Sequence, residues 1–279
     1  MNAQCAPAAR RQRAQGRLAV EFEATGDGAG RLSRLGQRGC LRARFPRPQD
    51  AGWIEAVTLN VSGGIASGDE LATEIRVGAG AKACVAGQAA ERIYDSGGGP
   101  PARIATRIDV AAGAALDWLP QETIFYDGFS VERALTVELA EDARFVGVDM
   151  QAFGRRGMGE TIRDGRWRDT TRVSRGGKLL LADRIRLDGD FEGALAGAAT
   201  AGGASAIATI LFAAPDAPGR LDAVRERLHD LGPAAGATTV EGIVVARTLA
   251  KSLHELRRTA ASVLEILRDG RALPRVWQV

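Results

Sequence analysis

One local pattern recurs four times along the chain, and it constrains the possible folds more than any other feature. Each copy consists of a segment that alternates apolar and polar residues, a short turn rich in small residues, and a second alternating segment. The first segments end at Val77, Val110, Leu139 and Val173, which are 33, 29 and 34 residues apart. Such spacing is typical of folds that stack similar units, none of which can bury its apolar face alone.

Alternation with a period of two predicts that both segments of each copy are β-strands with one buried face. The first strands are expected at 71–77, 104–110 and 134–139, and the second strands at 83–86, 116–119, 145–149 and 179–187. The third turn position holds Gly80, Gly113, Asp142 and Gly176, residue types that tolerate a positive φ. The sequence therefore predicts a mainly β protein, built as a layered or helicoid stack of β-hairpins.

The rest of the chain adds further strands and about two α-helices near the C-terminus. Alternation predicts strands at 17–24, 54–60, 206–212 and 240–248, and the Gly-, Ala- and Pro-rich segments 188–204 and 213–219 are expected to be loops. Apolar residues at helical spacing predict helices at 221–231 and 249–268, the second ending at Gly270. We expect a flexible N-terminal tail at 1–16 and one β-rich domain at 17–279.

The composition is that of a globular protein in a reducing compartment. Hydrophobic residues make up 45% of the chain and charged residues 25%, which excludes disorder as a class. Cys5, Cys40 and Cys84 are far apart and odd in number, which argues against a disulfide scaffold and favours a cytoplasmic location. The net charge is only +3, and the Arg-dense segments 10–17 and 31–47 are interpreted as solvated faces. Neither nucleic acid nor a membrane is expected as a partner.

Acidic residues in unusual Gly-rich segments are the best candidates for chemistry. The two histidines, His229 and His254, are not in paired ligand spacing, so no stable metal site and no catalytic residues are predicted. Asp69, Asp149 and Glu160 could supply oxygen ligands to a divalent ion. Carboxylates beside Arg155 and Arg156 could equally form a structural ion-pair network, and the sequence leaves both readings open.

Five segments together resemble the urease accessory protein family UreD, called UreH in some organisms. A Gly-rich loop, a Gln–Tyr stretch, a Trp-Leu-Pro-Gln signature, a Gly-Arg to Gly-Glu segment and a Pro-Arg-Val-Trp ending occur in the family's order. The residues that carry the resemblance are Gly63, Gly64, Gly68, Asp69, Gln88, Arg92, Tyr94, Trp118, Pro120, Gln121, Gly154, Arg155, Gly159, Glu160, Pro274 and Trp277. Two positions depart from the family pattern, since Gly87 precedes Gln88 and Glu122 stands where Pro is usual.

The resemblance implies a scaffold that helps deliver nickel to apo-urease. Its partners would be the accessory protein UreF, the GTPase UreG and the urease subunits, with nickel bound only transiently while it passes through an internal tunnel. By motif position, Asp69, Asp149, Arg155 and Asp183 would be counterparts of the family's tunnel residues. Asp183 replaces a more usual Glu, and Ala72 stands where another acid is expected. The candidate nickel path therefore consists of Asp69, Asp149, Arg155, Glu160 and Asp183.

Two other functional classes remain as alternatives at this stage. One is a non-catalytic β-rich module that binds a ligand or peptide. The other is a hydrolase that uses a carboxylate pair such as Asp149 and Glu160, which would have to lie in one cleft at a working separation.

Overall fold

A computed structural model describes residues 13–26, 28–231 and 234–278. These residues form 17 strands and three α-helices. The strands are β1 (Gln15–Ala24), β2 (Gly30–Gly39), β3 (Leu41–Arg44), β4 (Ile54–Asn60), β5 (Glu70–Val77), β6 (Lys82–Gly87), β7 (Glu91–Ile93), β8 (Ala102–Val110), β9 (Ala115–Leu119), β10 (Thr123–Phe125), β11 (Phe129–Leu139), β12 (Arg144–Phe153), β13 (Gly165–Arg175), β14 (Lys178–Asp188), β15 (Ala206–Ala213), β16 (Ala235–Val240) and β17 (Ile243–Ala250). The helices are α1 (Phe191–Ala196), α2 (Leu221–Asp230) and α3 (Leu253–Leu267).

The strands form two sheets whose central parts are parallel. Sheet A has the order β14-β13-β11-β8-β5-β1-β2, and only its edge strands β14 and β2 pair antiparallel. Sheet B has the order β16-β17-β15-β12-β9-β6-β4-β3, with β7 and β10 beside β12. The chain passes from sheet A to sheet B and back in each of the first three copies of the repeat. This stack of parallel strands confirms the predicted mainly β, solenoid-like fold.

The pairing predicted inside each repeat is correct for the fourth copy only. There β13 and β14 form an antiparallel hairpin. In the first three copies the two strands belong to different sheets, and each pairs with its counterpart in the neighbouring copy, as β5 does with β8 and β6 with β9. Alternation identifies which face of a strand is buried, but it does not identify the hydrogen-bonding partner.

The molecule has three layers and therefore two apolar cores. The first core lies between the sheets and is closed by an aromatic cluster in which Phe125 stacks on Phe129 with ring centroids 4.4 Å apart. The second core lies between the other face of sheet B and helices α2 and α3, where Leu256 and Leu264 are fully buried. Strands of sheet B are consequently buried on both faces, as expected for a covered parallel sheet.

Several predicted boundaries change for local physical reasons. Helix α3 begins at Leu253 rather than at 249, because 249–250 complete β17 and Ser252 caps the helix by accepting a hydrogen bond from the Glu255 backbone N–H at 3.2 Å. The predicted strand 240–248 contains the last residue of β16, a turn in which Glu241 and Gly242 have positive φ, and most of β17. The predicted loop 188–204 contains α1, capped by Asp190.

The N-terminal prediction is only partly covered by the described residues. Residues 1–12, including Cys5, lie outside them, and β1 already begins at Gln15 within the expected tail 1–16. Cys40 and Cys84 are free thiols buried in the two cores. Among the described residues no helix combines the length and apolar character that crossing a membrane requires.

The repeat turns stack on one another, and a positive φ is confirmed at three of the four predicted turn positions. Gly80, Gly113 and Gly176 have φ values of 69°, 64° and 55°. Asp142 does not adopt a positive φ, and its side chain instead accepts a hydrogen bond from the Gly113 backbone N–H at 2.9 Å. The Asp therefore supports the preceding turn through its carboxylate.

We expect Gly113→Val to lower the free energy of unfolding by about 1–3 kcal/mol, because a β-branched residue is strained at positive φ. No neighbouring atom lies closer than 3.8 Å to an added Cβ, so the effect isolates backbone strain. Chemical denaturation of Gly113→Val and of Ala112→Val, an exposed neighbour in the same turn, would measure it. Equal stability of the two variants would contradict the assigned turn geometry.

Candidate functional site

A cavity of about 330 Å³ lies between the two sheets. The strands of the repeat supply its walls, because their inward-facing side chains alternate with those that face away. Sheet A and sheet B both contribute lining residues, and so do the adjoining loops. Those from sheet A are Leu18, Leu71, Thr73, Ile104, Thr106, Arg133, Leu135 and Asp169, those from sheet B are Thr58, Asn60, Gly87, Glu91, Arg92, Trp118, Thr123 and Asp149, and those from the loops include Gly63, Gly64, Gln88, Pro120 and Gln121. Polar and charged groups thus enter the layer that elsewhere forms the apolar core.

A second, smaller cavity of about 30 Å³ lies next to the first. Leu135, Asp149 and Asp169 line both cavities. The second cavity also has Asp183 and Thr209 in its lining. The two spaces therefore meet at a pair of carboxylates, and a third carboxylate lies beyond that junction.

Arg133 occupies the junction and balances the charge of the two carboxylates. Its guanidinium donates to both carboxylate oxygens of Asp149 at 2.6 Å, and its Nε lies 3.2 Å from Asp169. It also donates to the Thr123 hydroxyl at 3.3 Å. The side chains of Arg133 and Asp169 are only 15% and 8% exposed. One buried cation thus stands against two carboxylates, which leaves a formal negative charge in the cavity wall.

Burial and neighbouring charge act in opposite directions on this cluster. Burial disfavours the charged form of Arg133, but Asp149 and Asp169 outweigh burial and raise the Arg133 pKa above its usual value. Burial raises the pKa of Asp169, Arg133 opposes that shift, and Asp149 adds to it. Arg133 and the two carboxylates can consequently stay charged in this buried position because each stabilises the opposite charge of the other.

Sequence reasoning missed Arg133 and Asp169, although a signal for both existed. In β11 the inward positions are Val131, Arg133, Leu135 and Val137, and in β13 they are Trp167, Asp169, Thr171 and Val173. A charged residue at an apolar position of an alternating strand must be paired or lie in a polar cavity. Applying that rule to both strands would have identified the pair.

The predicted path residues Asp149 and Asp183 both line the cavities, but three others do not. Asp183 lines the second cavity and forms an ion pair with Arg247. Asp69 is 4% exposed, and its two oxygens accept backbone N–H groups of Ala14 at 2.7 Å and Ala66 at 2.8 Å. That arrangement fixes the start of β1 to the loop before β5, which is a structural task.

Arg155 and Glu160 pair with each other in an exposed loop. The Arg155 Nε lies 2.9 Å from Glu160, and its guanidinium stacks 4.3 Å from the centroid of the Tyr126 ring. The hydrogen bond from Arg155 is the main cause that lowers the Glu160 pKa. Met158, between them, is 79% exposed. For Glu160 the structure thus agrees with the ion-pair network that the sequence left open.

Two family-motif segments meet the Arg155 loop at the Tyr pair. Tyr94 packs edge-on against Tyr126 with centroids 5.1 Å apart, and its hydroxyl donates to the Gly63 carbonyl at 2.6 Å. A Cβ at Gly64 would lie 2.5 Å from the Tyr94 ring, so only glycine allows this contact. Gly63 and Gly64 also line the larger cavity. The glycine loop, Tyr94 and Arg155 therefore form one surface beside the cavity.

The C-terminal segment holds the Trp-Leu-Pro-Gln signature in place. Gln121 donates to the Val276 carbonyl at 2.8 Å and to the Gly87 carbonyl at 3.2 Å, and Trp277 donates to the Leu119 carbonyl at 3.0 Å. Arg257 of α3 donates to Gln121 at 2.7 Å and to Glu122 at 2.6 Å. The signature and the C-terminal Pro274–Trp277 motif are far apart in sequence, and hydrogen bonds join them at the cavity wall.

Glu91, in the lining of the larger cavity, provides a pH-dependent prediction. Burial raises its pKa, and hydrogen bonds from Asn60 only partly oppose the shift. The folded state therefore binds an extra proton between the ordinary glutamate pKa, about 4.3, and the raised one, so stability is lost as pH rises through that interval. Glu91→Gln should lack this loss, which denaturation of both proteins from about pH 4 to 8 would measure. Parallel stability curves would contradict the assignment.

The geometry does not assemble the pair that a hydrolase would need. Asp149 lies in the cavity wall against Arg133, whereas Glu160 lies in the exposed loop against Arg155. Within the described ranges, no group of three or more His, Cys, Asp or Glu side chains could hold a metal ion.

Comparison with known proteins gives a consistent result over almost the whole chain. The family model described as UreD urease accessory protein matches residues 14–278. A urease accessory protein UreD of Methylobacterium sp. (strain 4-46) is 45% identical over 96% of this chain and 96% of its own length. The protein of the same name from Azorhizobium caulinodans is 44% identical over 98% of this chain and 99% of its own length. A urease accessory protein UreD 2 of Methylorubrum populi is 41% identical over 98% of this chain and 93% of its own length.

Proposed function

Because this chain belongs to the UreD urease accessory protein family, we propose that it is a non-catalytic scaffold that delivers nickel to apo-urease. The family itself supports a role in urease maturation. Beyond that role, the proposal specifies the ion that is carried, the path it takes through the protein and the proteins that bind this chain. Nickel is carried as a substrate in transit through the space between the sheets, and the protein works in the cytoplasm.

The observation that carries the proposal is that Asp149 and Asp169 line both of two adjacent cavities between the sheets. An ion that moves from the larger cavity to the smaller one passes both carboxylates and then meets Asp183. Carboxylate oxygens are serviceable ligands for a divalent ion, but without imidazole or thiolate they hold it weakly. Weak ligands suit a carrier, because the cargo has to leave again.

Arg133 gives the junction a way to accept and release a cation. At rest its guanidinium occupies both Asp149 oxygens. An arriving divalent ion would compete with Arg133 for these oxygens, and Arg133 would take them back when the ion leaves. The carboxylates are thus never left unpaired in a buried site, which would be costly.

The proposed partners are the accessory protein UreF, the GTPase UreG and the apo-urease subunits. The surface formed by the glycine loop, Tyr94 and Arg155 lies beside the larger cavity, so a partner docked there would meet the route. Its exposed Met158 and its Arg and Tyr side chains are of the types enriched in protein interfaces. We assign this surface to a partner that hands over or receives the cargo.

Co-expression tests the proposal as a whole. A tagged copy would be produced with the urease subunits and the other accessory proteins, and the recovered material would be assayed for partners, urease activity and urease nickel. We expect a complex, and urease whose activity and nickel content depend on this chain. Full urease activity without the chain, together with no recovered complex, would overturn the proposal.

A further inference from the structure

A cluster of arginines covers the outer face of sheet A at β13 and β14, away from the cavities. In the register of these strands Arg166 lies opposite Asp188, Arg168 opposite Arg186, and Thr170 opposite Arg184. Arg172 follows at the next outward position of β13. These five arginines, Arg166, Arg168, Arg172, Arg184 and Arg186, are named the arginine face. Two of them, Arg168 and Arg186, are like charges directly opposite each other, an arrangement that destabilises the free sheet.

The acids within reach do not balance this face. Glu132 of β11 lies 3.5 Å from Arg166 and 3.8 Å from Arg168, and Asp188 lies 3.1 Å from Arg186 and is shared with Arg166 and Arg168. Arg172 and Arg184 are exposed, and their side chains form no ion pair or hydrogen bond with any described residue. Glu132 is also paired with Arg103 at 3.5 Å, so the two carboxylates do not offset the five arginines of this face.

Two donors on this face are also unsatisfied. The Nε atoms of Arg166 and Arg168 are buried and form no hydrogen bond, although the Arg166 Nε lies 3.5 Å from Asp188. A buried donor without an acceptor is unfavourable, and a guanidinium is strongly suited to bidentate pairing with a carboxylate. An added row of carboxylates would supply opposite charge, and it would supply acceptors for the exposed guanidinium groups of Arg172 and Arg184.

We infer that the arginine face is a docking surface for a carboxylate-rich segment of a partner protein. Charge complementarity identifies this occupant. A single-stranded nucleic acid fits less well, because no aromatic side chain of these strands is on this face to stack on bases. The inference goes beyond nickel delivery and does not depend on it, since the face lies on the opposite side of sheet A from the route.

Fluorescence anisotropy with the full chain tests the inference. The probe is a labelled decapeptide of alternating Glu and Thr, measured at low salt because exposed charges are screened at higher ionic strength. Arg172→Gln/Arg184→Gln removes the two unpaired charges and should weaken binding about fivefold. The control Arg31→Gln/Arg34→Gln removes the same charge from β2 at the other edge of the sheet, where both arginines are paired with acids, and should weaken binding much less.

The outcomes separate the possible sources of binding. Selective loss in the Arg172/Arg184 variant supports the docking surface. Equal loss in both variants means that only net charge attracts the peptide, and it overturns the inference. Tighter binding of a short duplex DNA through the same two arginines would overturn it in favour of nucleic acid, and so would an absence of peptide binding to the unmodified chain. None of these results bears on the nickel proposal, because the assay contains neither nickel nor urease.

Discussion

Arg268→Met is expected to lower the free energy of unfolding by about 3–5 kcal/mol, because it removes one member of a buried ion pair. Arg268 and Asp117 each have a side chain that is 1% exposed, and the Arg268 Nε donates to Asp117 at 2.9 Å. The same guanidinium donates to the carbonyls of Arg271 at 2.8 Å and Ala272 at 2.6 Å. The variant would leave the two carbonyls without this donor, and it would leave Asp117 with only its ion pair to Arg271, 2.9 Å away.

The control for this prediction is a residue of α3, the helix that ends next to Arg268. Arg258 of α3 is exposed, and Arg258→Met should change stability by no more than about 0.5 kcal/mol. Guanidinium denaturation of the two variants and the unmodified chain would give the comparison. Equal, small effects would show that Arg268 is not the electrostatic anchor between α3 and sheet B.

Asp149→Ala is expected to reduce the nickel content of urease about tenfold or more while the complex with urease still assembles. Asp149 lines both cavities and accepts from Arg133 with both oxygens. Without it, Asp169 alone balances Arg133, and the junction has no spare negative charge to attract a divalent cation. Asp149→Asn should have the same effect, since it keeps the shape of the side chain but not its charge.

The matched control is an acid on the outer face of sheet A. Asp109 pairs with Arg107 at 2.9 Å on the solvent side, so Asp109→Asn removes a charge but leaves the cavities unchanged. Nickel per urease and recovery of the complex would be measured for all three variants. Loss of the complex in the Asp149 variants would mean that Asp149 is structural. Equal nickel loss in Asp109→Asn would mean that general charge, and not the junction, matters.

The repeat predicted the layered β fold because the alternation of apolar and polar residues and the residue types of the turns are local properties of the sequence. The positive φ values of Gly80, Gly113 and Gly176 could be predicted from residue type alone. The pairing of β5 with β8 instead of β6 could not be inferred in this way, because hydrogen-bonding partners in a solenoid are a whole repeat apart. Helix α1 was missed since its short length leaves almost no periodic signal.

In the candidate site, too, local sequence patterns identified some residues, whereas contacts between residues far apart in the sequence could not be predicted. Motif position singled out Asp149 and Asp183, and both line the smaller cavity. It also included Asp69, whose carboxylate is used by the backbone of Ala14 and Ala66, contacts that no motif encodes. Arg133 and Asp169 belong to no recognised motif, yet their charge at inward positions of two strands marks them.

The most direct test of the proposed route is the nickel content of urease matured by a variant with a filled cavity. Thr106 of β8 lines the larger cavity, and Thr106→Trp would place an indole in it. Ala105, its neighbour, is exposed on the other face of the same strand, so Ala105→Trp is the matched control. If nickel passes between the sheets, both variants assemble with urease, and only Thr106→Trp yields nickel-poor enzyme. Full nickel loading by a folded Thr106→Trp variant would contradict the route.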